Sequence, residues 1–193
     1  IKNIGSVQIR NVATIGGNLV NAVPSADGAI PLIALDGKAH IYGTKGHRSM
    51  ELLRFFLGPG QCDLAGGEIL LEIIIPPLLP RTGGAYIKHG RREAMELPML
   101  GVGVLLSLEE DMQTCARARI CLGVAAPTPL RCLQAENYLV GKPVDDKTLT
   151  EAGRLAGEES RVRDSIRGLA WYRREMVGVL VKRMGFKALE RAK

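Results

Sequence analysis

The chain has 193 residues, a formal net charge of +6 and 46% apolar residues. That length allows one domain or two small ones, and the apolar share is enough for a buried core. No run of eighteen uncharged apolar residues occurs, which excludes a transmembrane helix of ordinary length, and the first residues show no basic segment followed by an apolar stretch of the signal-peptide kind.

In chain order, the first part alternates short strands and turns to about Pro80. Ala13-Thr14-Ile15-Gly16-Gly17-Asn18 comes first, followed by Pro24-Ser25-Ala26-Asp27. Adjacent glycines let the backbone turn tightly and approach a ligand. The Gly16 and Gly17 amides can form a small donor concavity for an anion. Thr14 and Asn18 add side-chain donors, and Asp27 supplies an acceptor suited to a ribityl or ribose hydroxyl. Lys38 to Tyr42 is expected to be a strand, and Met50 to Phe56 a short helical turn stopped by Gly58-Pro59-Gly60. Ile69 to Ile75 is expected to be a strand with apolar residues on both faces. The stretch from Pro76-Pro77 to Gly83-Gly84 is the best boundary, dividing the chain into 1–80 and 81–193.

The second part opens with strands at Ala85 to Lys88, Gly101 to Leu108 and Thr114 to Val124. Glu109 to Gln113 is a charged hairpin loop, so the strands it joins should be antiparallel. Helices follow at Leu130 to Val140, at Asp146 to Ser160 with Asp145 or Asp146 as a cap, and at Gly168 to Met184 with a cap near Asp164 or Ser165. Leu169, Tyr172, Met176, Leu180 and Met184 recur at helical spacing and predict a core-facing stripe. The fold class is α+β, with helices covering one side of a small antiparallel sheet.

The four cysteines, Cys62, Cys115, Cys121 and Cys132, form no C-x-x-C pair. Their spacing suits neither a zinc site nor a plant-type iron–sulfur cluster. Cys115 and Cys121 have the same strand parity, which predicts a shared face. Buried free thiols in a reducing cytoplasm are expected. His40, His47 and His89 are isolated from one another. Residues 151–193 carry eleven Lys/Arg and six Asp/Glu, so most of the net charge lies there. A solvated helix face accounts for this more simply than nucleic-acid binding, since no aromatic residues interleave with the basic ones.

Several ordered segments together carry a family resemblance. Gln8-Ile9-Arg10-Asn11, Ala13 to Asn18, Pro24 to Asp27, Leu32 to Asp36, Glu68 to Leu71 ending at Pro76, Tyr86-Ile87-Lys88 with Arg91-Arg92-Glu93-Ala94-Met95, Ala126-Pro127-Thr128-Pro129 with Arg131, and Asp164 to Arg167 with Trp171-Tyr172-Arg173 follow in order. The chain resembles the FAD-binding subunit of the xanthine dehydrogenase and carbon monoxide dehydrogenase family of molybdenum hydroxylases. The resemblance implies that residues 1–80 are the second part of a flavin-binding α/β domain and that residues 81–193 are the C-terminal α+β domain of the flavoprotein. It implies an oxidoreductase subunit that passes electrons from iron–sulfur clusters through FAD to an acceptor such as NAD+. Molybdopterin and [2Fe-2S] clusters would sit on partners, a molybdenum-binding large subunit and an iron–sulfur small subunit.

By the same resemblance, Ala13, Thr14, Ile15, Gly16, Gly17 and Asn18 would contact the flavin diphosphate. Asn21 and Asp27 would lie along the ribityl group, Leu70 or Leu71 near the isoalloxazine, and Lys88 would reach the flavin from the second domain. No side chain is an evident catalytic base, which fits chemistry carried by a cofactor. The chain opens at Ile1, where the family has an N-terminal lobe with another glycine-rich loop. This leads us to expect a fragment that is inactive alone and holds FAD weakly. Leu97-Pro98 and Arg163 depart from the family pattern, and Pro98 would remove a ladder donor from a strand. Two other classes compete: an assembly module with a vestigial flavin site, and a nucleic-acid-binding protein using the basic tail.

Overall fold

The computed structural model describes residues 4–92 and 95–193. The first part begins with short helices, α1 (Val7–Val12), α2 (Ile15–Val20) and α3 (Ala29–Ala34). Strands β1 (Lys38–Gly43), β2 (Gly46–Glu51) and β5 (Glu68–Ile74) form an antiparallel sheet in the order β2-β1-β5. Between β2 and β5 lie a 3-10 turn at Leu52–Phe55 and the small hairpin β3 (Phe56–Gly58) and β4 (Gln61–Cys62). Leu19, Ile30, Ile33, Ile41, Leu52 and Phe55 are buried together as the core of this part.

The second part is an antiparallel sheet in the order β6-β7-β8-β9, made from Thr82–His89, Leu100–Leu108, Cys115–Gly123 and Leu130–Arg131. Helices α4 (Leu133–Leu139), α5 (Asp146–Glu159) and α6 (Ala170–Ala192) follow. The two-residue period of β7 explains how this sheet serves two neighbours. Leu100, Val102, Val104, Leu106 and Leu108 join the core shared with α4, α5 and α6. The alternate positions Gly101 and Gly103, with Gly123 on β8, face α3, where Ile30 fills the space a side chain would take. A Cβ at Gly123 would stand 2.8 Å from Ile30 Cγ1. The Val124 amide also donates to the Pro24 carbonyl at 3.1 Å, tying the sheet to the loop before α3.

The helix ends have clear causes. The Asp145 carboxylate accepts from the Thr148 amide, and the Thr148 hydroxyl accepts from the Asp145 amide, a reciprocal capping box at the start of α5. Asp164 accepts from the Ala170 amide at 2.6 Å and so starts α6 from six residues away. Gly141 lies just beyond α4 with φ +76°, a conformation glycine adopts without steric cost.

Several sequence expectations need correction. The first part opens with helices rather than strands, because Ser6 and Thr14 each cap a short turn: Ser6 accepts from the Ile9 amide and Thr14 from the Gly17 amide. Strand β5 is not buried on both faces: Ile69 and Leu71 are exposed, and a bulge opposite His40 and Ile41 leaves Leu71 unpaired. The stretch Leu130 to Val140 splits, since Leu130 and Arg131 pair with β8 before α4 begins. Helix α6 continues well past Met184, and its buried stripe runs through Arg173, Val177, Leu180, Val181, Met184 and Ala188, whereas Leu169 is exposed. Pro98 precedes β7 and costs no ladder bond. Cys115 and Cys121 do not share a face. Ser107 pairs with Arg117 and Leu108 with Cys115, so Ala116 is an extra residue that inverts the parity of β8. Cys115 therefore enters the second core and Cys121 the first.

Candidate functional site

The Ala13–Asn18 segment bridges α1 and α2. Ala13 is the C-cap of α1 and Thr14 the N-cap of α2. The glycine pair is thus not a tight turn but the first turn of α2, with Gly16 and Gly17 both at ordinary negative φ. The Thr14 hydroxyl accepts from the Gly17 amide at 2.9 Å. This removes Gly17 from the expected pair of donors. First-turn amides have no partner within their own helix, which leaves the Ile15 and Gly16 amides to serve as donors. At Gly16 the nearest neighbour of a Cβ would be Thr14 Oγ1 at 4.0 Å, so the space beside this backbone is open.

The same segment lines a cavity of about 420 Å³, through Arg10, Val12, Thr14, Ile15, Gly17 and Asn18 among others, and Gly16 lies off its wall. Val12 and Ile15 are exposed apolar side chains. Among the described residues, Arg10 is the cation lining this cavity, held by a 2.7 Å bond from its Nη1 to the Ile4 carbonyl. A cation, open helix-start amides and exposed apolar walls suit a ligand that combines an anionic and an apolar portion. Asn18 lines the cavity and also braces the fold. Its Oδ1 accepts from the Gly28 amide at 3.0 Å and ties α2 to α3. Asn21 lies at the other end of α2, exposed, with its amide donating to the Gly17 carbonyl. Leu70 pairs with Ile41 and packs half-buried against the first core.

The structure brings Asp27 and Lys88 together. Lys88 Nζ donates to Asp27 Oδ2 at 2.7 Å, and both side chains are about nine-tenths buried. Tyr86 donates its hydroxyl to the other carboxylate oxygen at 2.9 Å. Burial, reinforced by the Asp27 charge, pushes the Tyr86 phenol well above its ordinary value and keeps it a donor. Sequence patterning gives Tyr86 no role of its own, although Tyr86 and Lys88 share strand parity and so must share a face. Arg10 likewise stands out in the sequence only as part of a motif.

Next to Lys88, His89 makes a tilted ring contact with Tyr172 of α6, with ring centroids 6.4 Å apart. Desolvation, and then the charge of Arg183, lower the His89 pKa. Glu96 accepts from the Arg92 amide and from Arg91 Nε, closing the following loop. Of the Arg91 to Met95 motif, Glu93 and Ala94 lie outside the described residues. Among the described residues no group of three or more His, Cys, Asp or Glu could hold a metal ion, and no helix is long and apolar enough to cross a membrane.

Two family models match the chain. The FAD binding domain in molybdopterin dehydrogenase matches residues 1–78, and the CO dehydrogenase flavoprotein C-terminal domain matches residues 85–188. A putative xanthine dehydrogenase FAD-binding subunit from Escherichia coli K12 is 33% identical over 191 residues, which cover 98% of this chain and 65% of the relative. The carbon monoxide dehydrogenase medium chain of Hydrogenophaga pseudoflava is 30% identical, over 94% of this chain and 62% of the relative. The chain thus spans just under two thirds of the length of these curated relatives. In solved structures, carbon monoxide dehydrogenase from Hydrogenophaga pseudoflava superposes with a TM-score of 0.93 at 32% identity, covering 98% of this chain and 65% of that one. Quinoline 2-oxidoreductase from Pseudomonas putida 86 gives 0.89 at 27% identity, with the same two coverages. The order of segments, the fold and these matches agree, and the chain belongs to the family of FAD-binding medium subunits of xanthine and carbon monoxide dehydrogenases.

Proposed function

We propose that this chain forms the flavin-holding part of a molybdenum hydroxylase. In this reading the subunit takes electrons from iron–sulfur clusters on a small subunit and delivers them to an acceptor such as NAD+, while substrate oxidation takes place on a molybdenum-binding large subunit. The division of labour falls at the boundary of residues 1–80 and 81–193, and the complex works in the cytoplasm. The observation that carries the proposal is the 420 Å³ cavity itself: the Arg10 cation, the start of α2 at Thr14 and Ile15, and the bare backbone of Gly17 meet along its wall.

These residues fit FAD. Ala13, Thr14, Ile15, Gly16, Gly17 and Asn18 form or brace the wall that would take its diphosphate, with the Ile15 and Gly16 amides as donors and Arg10 as counter-charge. Thr14 holds the turn rather than the ligand, through its bond to the Gly17 amide. Asn21 and Asp27 would flank the ribityl group and Leu70 the isoalloxazine. When bound, FAD supplies a redox centre that exchanges electrons one or two at a time. Lys88 would place a positive charge towards the ring system, and Asp27 and Tyr86 would fix its position. The cavity leaves much of so large a ligand uncovered, so the 193-residue chain holds FAD weakly and is inactive by itself.

The test is flavin content of the full-length subunit carrying Gly16→Val or Gly17→Val. Gly17 lines the cavity, and a Cβ there meets only Thr14 Oγ1, at 3.1 Å, so Gly17→Val should stay folded and lose its flavin, whereas Gly16→Val, off the cavity wall, should keep more of it. Stoichiometric FAD in folded Gly17→Val protein would overturn the assignment of this wall. Titration of FAD into the present chain should show binding weaker than micromolar. Submicromolar binding would contradict the incomplete site.

A further inference from the structure

The junction between the two parts holds a second charged cavity, of about 330 Å³, on elements unconnected with the Ala13–Asn18 wall. Its floor is built by β8 and β9. After the bulge at Ala116, Arg117 and Arg119 occupy alternate positions on the α3 side of the sheet, and Arg131 stands opposite Cys121 on β9. Asp36, in left-handed conformation just after α3, meets them. Its Oδ1 accepts from Arg119 Nε at 2.9 Å, and its Oδ2 accepts from Arg117 Nη2. Arg131 makes two bonds to Glu136, whose carboxylate also takes the Ile120 amide at 2.9 Å.

The charges in this cluster do not balance. Three guanidinium groups face two carboxylates, Asp36 and Glu136. Lys38 adds a positive charge at the rim. The rim carboxylate, Glu51, is shared with Arg54 at 3.5 Å. Hydrogen-bond donors are also in surplus. A guanidinium offers five N–H groups, and among the described residues the Arg117 side chain bonds only to Asp36. A partly buried cavity with excess positive charge and unspent planar donors favours a dianion with several acceptor oxygens over a singly charged carboxylate.

We infer that this cavity, floored by Arg117, Arg119 and Arg131 and rimmed by Lys38, binds a phosphate group. Both parts of the fold contribute to it, so the bound anion would add a bridge between them. Free phosphate and the phosphate of a nucleotide share this chemistry, and a titration separates them. Inorganic phosphate and ADP are each titrated calorimetrically into the full-length subunit at low ionic strength. Phosphate should bind in the submillimolar range and weaken as salt is raised. Arg117→Gln should weaken it about tenfold, the loss expected for a charge-assisted pair. Arg10→Gln, in the other cavity, should leave it unchanged. ADP binding tenfold tighter than phosphate, and equally sensitive to Arg117→Gln, identifies a nucleotide. Equal affinities identify free phosphate.

No binding of phosphate or ADP at about 10 mM, weaker than any useful site, would overturn the inference. So would unchanged binding in Arg117→Gln, or loss of binding in Arg10→Gln. Should Arg117→Gln unfold, the exposed Lys38→Gln supplies the same reading: severalfold weaker binding supports the site, and unchanged affinity refutes it.

Discussion

The Asp27–Lys88 pair gives the most direct check on how the two parts are joined. Asp27 precedes α3 in the first part, and Lys88 lies on β6 in the second. Their 2.7 Å separation corresponds to an attraction of about 6 kcal/mol at an effective dielectric of about 20. Desolvation of both charges offsets most of that, so the pair's net contribution is small. Removing one partner is a different matter, because the other charge stays buried at a cost of about 3–5 kcal/mol. In Lys88→Met, Tyr86 still donates to Asp27, which places the loss near the lower end, about 3 kcal/mol. In Asp27→Asn, Lys88 keeps a further partner, so a similar or smaller loss is expected. The double variant leaves no orphan charge and should lose about 2 kcal/mol less than the sum of the singles. Urea unfolding of the four proteins at neutral pH measures this cycle. Additivity within about 0.5 kcal/mol, or a Lys88→Met loss under 1 kcal/mol, would refute the argument that a buried pair joins the parts.

Two further perturbations test the cores. Burial pushes up the pKa of the Cys115, Cys121 and Cys132 thiols, that of Cys115 to about 11. A raised folded value means that the native state keeps its proton after the unfolded chain has lost it. Stability is therefore full below the unfolded value of about 8.5 and falls above it, by up to about 4 kcal/mol per pH unit for three thiols. Denaturation under reducing conditions between pH 8 and about 10 should show this slope, with Cys121→Ala removing a third of it; a flat profile would refute the burial. Gly123→Ala should cost about 1–3 kcal/mol through overpacking against Ile30, read from the urea midpoint. An unchanged midpoint would mean that α3 does not rest on the sheet as described.

The limits of several elements were legible. Strands β1, β7 and β8 and helix α5 lie within a residue or two of their expected positions, because alternation or a capping residue marks their limits. What failed depended on relationships between segments. The Gly16–Gly17 pair looked like a turn because glycine commonly marks one, yet Thr14 two residues before it recruits the pair into a helix. Ile69 and Leu71 looked buried because apolarity signals a core only when something covers the residue, and here the chain leaves them exposed. Within the site, the association of Asp27 with Lys88 spans 61 positions and no local pattern could announce it. Each residue stands out separately, by motif resemblance, and the fold makes them partners.

The bulge at Ala116 has an evolutionary consequence. Strand β8 is a wall shared by two rooms, and its single surplus residue decides which room each later side chain enters. Deleting that residue would straighten the strand and exchange the tenants. Either Cys115 would move to the α3 side, or Arg117 and Arg119 would point into the apolar room beneath α4, α5 and α6. Point substitutions along β8 can be accommodated one at a time, whereas a change of length here alters a whole row of side chains at once. Descendants of this fold should therefore tolerate insertions in the Glu109–Gln113 hairpin and resist them at Ala116. A library of single-residue insertions and deletions, selected for soluble folded protein, would reveal that contrast across only a few positions of sequence.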